Sequence, residues 1–103
     1  MQFKTLLSSL FIASASAGWI QLCSSDGHCT DAGSSPANSN NCMGPIRGKP
    51  PFKFVAHDFT PVSMSIFTDK GCWNNNVATC DGCKDVKYKG KGPVYGIFHM
   101  DVV

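Results

Sequence analysis

The chain has 103 residues, with nine Lys or Arg against seven Asp or Glu, a formal net charge of +2, six cysteines and 43% hydrophobic residues. That length holds one domain with a small core. The near-neutral balance argues against a nucleic-acid binder that relies on a dense basic surface.

Met1 to Lys4 form a short basic end, and Thr5 to Ala17 is an uncharged run of apolar and small residues. The run is too short to anchor in a bilayer, which takes roughly 20 apolar residues. It closes on Ala15-Ser16-Ala17, the small-x-small pattern of signal-peptidase sites, and so predicts a signal peptide over 1–17 and a single mature domain over 18–103. Loss of Lys4 leaves eight basic against seven acidic side chains, a net charge of about +1. All seven acids are aspartates, and no Asn-x-Ser/Thr acceptor is present. The expected product is secreted, extracellular and free of N-glycans.

The mature region has one leucine, Leu22, four alanines and no glutamate, while valine, phenylalanine and isoleucine supply most of its apolar content. This is a β composition. In chain order the predicted strands are Trp19–Cys23, Phe52–His57, Val62–Thr68, Val86–Lys89 and Pro93–Met100, the last able to run on to Val103. Val62, Met64 and Ile66 alternate with serines, as in a half-buried strand, and Val86 and Tyr88 alternate with Lys87 and Lys89. Between Thr30 and Pro51 the chain is rich in Gly, Ser, Asn and Pro and reads as a long surface loop pinned at Cys42. Asn74-Asn75-Asn76 reads as a polar turn. The expected fold class is all-β, a small disulfide-rich antiparallel sandwich or barrel, Greek-key order included, with long loops.

Cys23, Cys29, Cys42, Cys72, Cys80 and Cys83 all follow the proposed cut. An even count in a short exported chain predicts three disulfides. Three cysteines precede the cysteine-free stretch Met43 to Gly71 and three follow it, so full pairing requires at least one bridge between the halves. Such a bridge is worth roughly 3–4 kcal/mol by loop-closure entropy. Cys80-Asp81-Gly82-Cys83 has the C-x-x-C spacing of redox motifs and of half a zinc site. It lacks the βαβ setting of the first and a second ligand pair for the second, which favours two structural half-cystines bonded to different partners.

His28, His57, His99 and Arg47 are the right residue types for acid–base work around a phosphate, with Asp58 beside His57 as a stand-in for the missing glutamate base. Each histidine also has an ordinary place, in a turn, at a strand end or within a strand, and no nucleophilic-serine or Gly-rich phosphate motif accompanies them. No catalytic residue, metal site or cofactor is therefore expected. Lys84, Lys87, Lys89 and Lys91 form the main charge cluster and are weak candidates for an anion-binding edge. Edge lysines also stop a strand from pairing with another molecule, and that second role is the favoured one. Trp19 and Trp73 could serve as carbohydrate platforms, but in so small a core packing beside their neighbouring cysteines is the favoured reading for both.

The signal ending in Ala-Ser-Ala, Trp19-Ile20-Gln21-Leu22-Cys23, Asp26-Gly27-His28-Cys29 and Ile66 to Cys72 together resemble fungal small secreted cysteine-rich proteins of the effector type. Ser65 to Trp73 also resembles the strand-turn signature of βγ-crystallin-type Greek-key domains at Phe67 and Asp69, with Cys72 and Asn74 departing from it. That second resemblance implies a calcium site at Asn75-Asn76-Val77-Ala78-Thr79-Cys80. Neutral asparagines and a cysteine at the last position make the stretch a turn rather than a cation site.

The expected function is a secreted non-enzymatic effector or interaction protein whose loops bind a host or microbial target. The alternatives are an antimicrobial or killer-type toxin acting on membranes or cell walls, and a small hydrolase such as a ribonuclease. The expected partner is an extracellular protein or a cell-wall polymer, with no nucleic acid, no stable membrane insertion and a monomeric state.

Overall fold

Side chains that alternate between apolar and polar can sit in one sheet with one face dry, and two such sheets stack by their dry faces. The computed structural model of the protein describes residues 18–31, 33–34 and 39–100. The predicted signal segment over 1–17 and the continuation to Val103 lie outside the described residues.

Eight strands follow in order: β1 Trp19–Cys23, β2 Gly33–Ser34, β3 Met43–Ile46, β4 Phe52–His57, β5 Ser63–Phe67, β6 Asn76–Asp81, β7 Asp85–Tyr88 and β8 Val94–His99. They form two antiparallel sheets of four strands, sheet A in the order β2-β1-β4-β7 and sheet B in the order β3-β8-β5-β6. The described residues contain no helix. The fold is a small disulfide-rich β-sandwich.

Sheet A turns Ile20 and Leu22 of β1, Phe52, Phe54 and Ala56 of β4, and Val86 of β7 inward. Sheet B answers with Met64, Ile66, Val94, Phe98 and Ile46. Each of the large side chains, buried completely, contributes about 1.5–3 kcal/mol. The two layers interdigitate by size. Phe54 meets Phe98 edge-on, ring centroids 6.4 Å apart, and its ring also lies over Gly96, where an added Cβ would stand 2.9 Å from Phe54 Cε2 and 3.2 Å from Leu22 Cδ2.

The predicted strands at 19–23 and 52–57 coincide with β1 and β4, and those at 62–68, 86–89 and 93–100 overlap β5, β7 and β8. Two segments differ from expectation. The 30–51 stretch, read as loop, contains β2 and β3, and the 75–80 stretch, read as turn, is mostly β6. β3 tolerates Pro45 because it is an outer strand of sheet B. It needs glycine at position 44, where φ is +122° and a Cβ would press within 2.8 Å of the Val94 carbonyl. β6 forms from polar residues because β5 offers it a full antiparallel partner, from Ser63 opposite Asp81 to Phe67 opposite Asn76.

The disulfides join Cys23 to Cys29, Cys42 to Cys72 and Cys80 to Cys83. Cys42–Cys72, spanning 30 residues, is the bridge between the halves that the cysteine count requires. Cys80 and Cys83 are bonded to each other, not to different partners as the sequence suggested. The short Asp81-Gly82 link lets the chain turn from β6 in one sheet to β7 in the other, and this brings both sulfurs to the same corner.

Candidate functional site

The loop between β5 and β6 is built to project one side chain. After Phe67 the chain passes through left-handed backbone at Gly71 (φ 95°), Cys72 (φ 54°) and Asn75 (φ 61°). Asparagine and glycine adopt that conformation readily; a cysteine seldom does. Here Cys72 is 6% exposed and held by its bridge to Cys42. Asn75 closes the turn, its amide donating to Asp69 Oδ2 at 2.8 Å, while the Thr68 amide donates to the Asn75 carbonyl at 3.1 Å. Trp73 follows the anchored cysteine and stands 83% exposed. The same loop supplies Lys70 and Gly71 to one wall of an open cavity of about 430 Å³, whose other wall includes Pro45 of β3 and Tyr95 of β8. Packing beside its cysteine, expected for both tryptophans, therefore fails for Trp73. Trp19 is 36% exposed and stacks on His57, with centroids 3.7 Å apart and planes 15° from parallel.

The outward face of sheet A is different in kind. The β1–β4 register sets Trp19 opposite His57 and Gln21 opposite Val55, and the β4–β7 register sets Lys53 opposite Lys87. Both lysines are exposed. Neither forms an ion pair among the described residues, where His28 Nε2 and Asp26 Oδ2 at 3.8 Å are the one pair found. A depression of about 310 Å³ runs along Gln21, Cys23, Lys53, Val55 and His57. Lys84, Lys87, Lys89 and Lys91 are all exposed and lie in or beside β7, an outer strand of sheet A.

The residues suited to acid–base work are dispersed. His28 lies in the loop after β1, His57 ends β4 against Trp19, and His99 ends β8 with its Nδ1 on Asn40 Oδ1. Arg47 and Asp58 are exposed, in separate loops. Ser24, Asp26 and His28 do form a Ser/Asp/His trio, but its bonds run the wrong way for a nucleophile. The Ser24 hydroxyl donates to Asp26 Oδ1 at 2.6 Å and accepts from the His28 amide at 3.0 Å, so it gives its proton to the acid and not to the imidazole. The Lys49 amide also donates to Asp26 Oδ1 at 3.0 Å. The Ser24 hydroxyl first, and then the Lys49 amide, hold the Asp26 carboxyl below its usual value of 3.8. The trio ties the loop Ser24–Cys29 to Lys49, a structural task.

In the stretch matching the calcium pattern, Thr79 Oγ1 donates to Asn76 Oδ1 at 3.0 Å, and the Asn76 amide donates to the Ile66 carbonyl at 3.1 Å. Both side chains are thereby engaged in pinning β6. Among the described residues no three His, Cys, Asp or Glu side chains gather as a metal site would require.

The fold and these surfaces define a small disulfide-rich β-sandwich with a displayed aromatic loop. Compared with known proteins, the chain matches no family model, no curated sequence and no solved structure.

Proposed function

We propose that the protein is an exported, non-enzymatic interaction protein of the effector type, which grips a host or microbial target outside the cell through the Thr68–Asn75 loop with Trp73 as its anchor. The carrying observation is the 83% exposure of Trp73 on a loop whose base is locked by a disulfide. Water contact on most of an indole costs free energy that a partner regains on covering it, and tryptophan is enriched among residues that dominate binding. A loop already rigid loses little conformational freedom on binding. The amino-terminal signal pattern and three disulfides support export, since bridges persist in oxidising compartments. The wiring of Ser24, Asp26 and His28 and the dispersal of the other histidines support a binding role over a hydrolytic one.

The test is capture of the target from extracellular fluid and cell-wall fractions by the oxidised protein and by Trp73→Ala. The variant should unfold at the same temperature as the parent and lose at least about tenfold in affinity, a typical cost at a buried aromatic anchor. Unchanged capture by Trp73→Ala overturns the anchor. Turnover of RNA or polysaccharide by the purified protein overturns the non-enzymatic reading.

A further inference from the structure

Edge protection accounts for lysines on β7, an outer strand, but not for Lys53. β4 lies inside sheet A between β1 and β7, where no strand edge needs guarding. Lys53 nevertheless stands directly opposite Lys87 on the outward face, and like charges in that position repel. Neither lysine is ion-paired among the described residues. Such a pair is the arrangement an anion would occupy.

The rest of the face says what carries the anion. From Lys53 to His57 along β4 is roughly 13 Å, at the usual rise per strand residue, or roughly two to three pyranose rings. At the far end Trp19 rests one face on His57 and keeps about a third of its surface open, and Val55 between the ends is apolar and half-buried. Gln21 lines the same depression. Its amide nitrogen already donates to the Thr30 carbonyl at 2.9 Å, which fixes the side chain and leaves Oε1 as an acceptor for a hydroxyl. A flat ring with hydroxyls on its rim and an acid group one or two rings away matches these features in order. We propose that the outward face of sheet A binds an acidic polysaccharide, its sugar rings lying along β4 and its carboxylate or sulfate seated between Lys53 and Lys87.

Other thin polymers fit less well. Asp85, opposite Val55 on the same face, thins the positive field, and a phosphodiester chain needs denser cationic contact than two lysines provide. An extended peptide gains most by pairing with a free strand edge, and the backbone of β4 is already paired on both sides. For a sugar, Asp85 serves as an acceptor for hydroxyls.

This site shares no residue with the Trp73 loop, so the two stand or fall separately. The test is affinity electrophoresis of the secreted, disulfide-bonded protein in gels containing polygalacturonate, a sulfated galactan or a neutral β-glucan. Retardation by an acidic polymer, relieved by salt, is the expected result. The double variant Lys53→Gln/Lys87→Gln should weaken it by roughly tenfold or more, as loss of two charge-assisted contacts implies, and Trp73→Ala should leave it unchanged. Stronger retardation by the sulfated polymer, lost in the same lysine variant, assigns the anion as sulfate; stronger retardation by polygalacturonate assigns it as carboxylate. The lysine variant should melt at the same or a higher temperature than the parent, since a repulsion has been removed, which separates lost binding from lost folding. No retardation by either acidic polymer, equal retardation by the neutral glucan, or retardation that survives the lysine substitutions overturns the proposal. Retardation lost only in Trp73→Ala moves the polymer to the loop and also overturns it, while leaving the loop's proposed role intact.

Discussion

Sheets A and B are alike on the side they share and unlike on the side they show. Inward, both present aliphatic and phenylalanine side chains at every second residue, and each fills gaps left by the other, as Phe54 does over Gly96. Outward, sheet A carries Lys53 and Lys87 at one end, Asp85 between, and the stacked Trp19 and His57 at the other. The middle of sheet B is uncharged, with the Ser65 hydroxyl bonded to Thr79 at 3.1 Å and Phe67 opposite Tyr95, both half-buried. The inner faces answer to one another and so are constrained by packing density. The outer faces answer only to what is outside, and that is where two sheets of one domain diverge.

If the inner faces are equivalent, truncation should cost the same from either side. Phe54→Ala in sheet A and Phe98→Ala in sheet B should each lose about 3–5 kcal/mol in denaturant unfolding. A gap of more than a factor of two between them would break the symmetry. Next in size is the bridge that ties the start of β3 to the β5–β6 loop, both at sheet B. Replacing Cys42 and Cys72 together by alanine should cost about 3–4 kcal/mol by loop-closure entropy, read in the same experiment. Gly96→Ala tests the interdigitation itself. Its Cβ would crowd Phe54 and Leu22 at once, and about 1–3 kcal/mol of overpacking is expected.

The smallest effect belongs to Asp26, outside both sheets. Its folded pKa lies below the ordinary 3.8, so the stabilisation it gives is fully present above that value and is lost as pH falls through the lowered folded value. Asp26→Asn should melt below the parent at neutral pH, and the difference should close in acid. A difference that grew on acidification would reverse the assignment.

The strands that could be read from the residue pattern were those with two consistent signals, alternation and β-branched or aromatic content. β1 and β4 have both and match residue for residue. β3 has Gly44-Pro45 at its centre and β6 begins with asparagine, so each looks like a connection until its neighbour is known. What makes them strands is hydrogen bonding to β8 and β5, a non-local term that no short window contains. Parity of the cysteines required a bridge between the halves but could not pair Cys80 with Cys83, because that depends on where the chain crosses between sheets. Trp73 was visible as a candidate and misread, since burial of a cysteine was extended to its neighbour. The run of three asparagines after it, and Lys70-Gly71 before it, were the signal that no apolar surface awaited the indole. The Lys53–Lys87 pair could not be seen at all, being a property of strands 4 and 7 lying side by side.

The two indoles also make the protein its own optical instrument. Trp73, bathed in water beside the Cys42–Cys72 bridge, should emit at long wavelength and be reached freely by collisional quenchers. Trp19, stacked on an imidazole and about a third exposed, should emit further to the blue and resist them. A molecule that settles on the loop will shield the red component, and one that settles on sheet A will perturb the blue one. A single unlabelled sample can therefore report which of its two outer surfaces has been occupied.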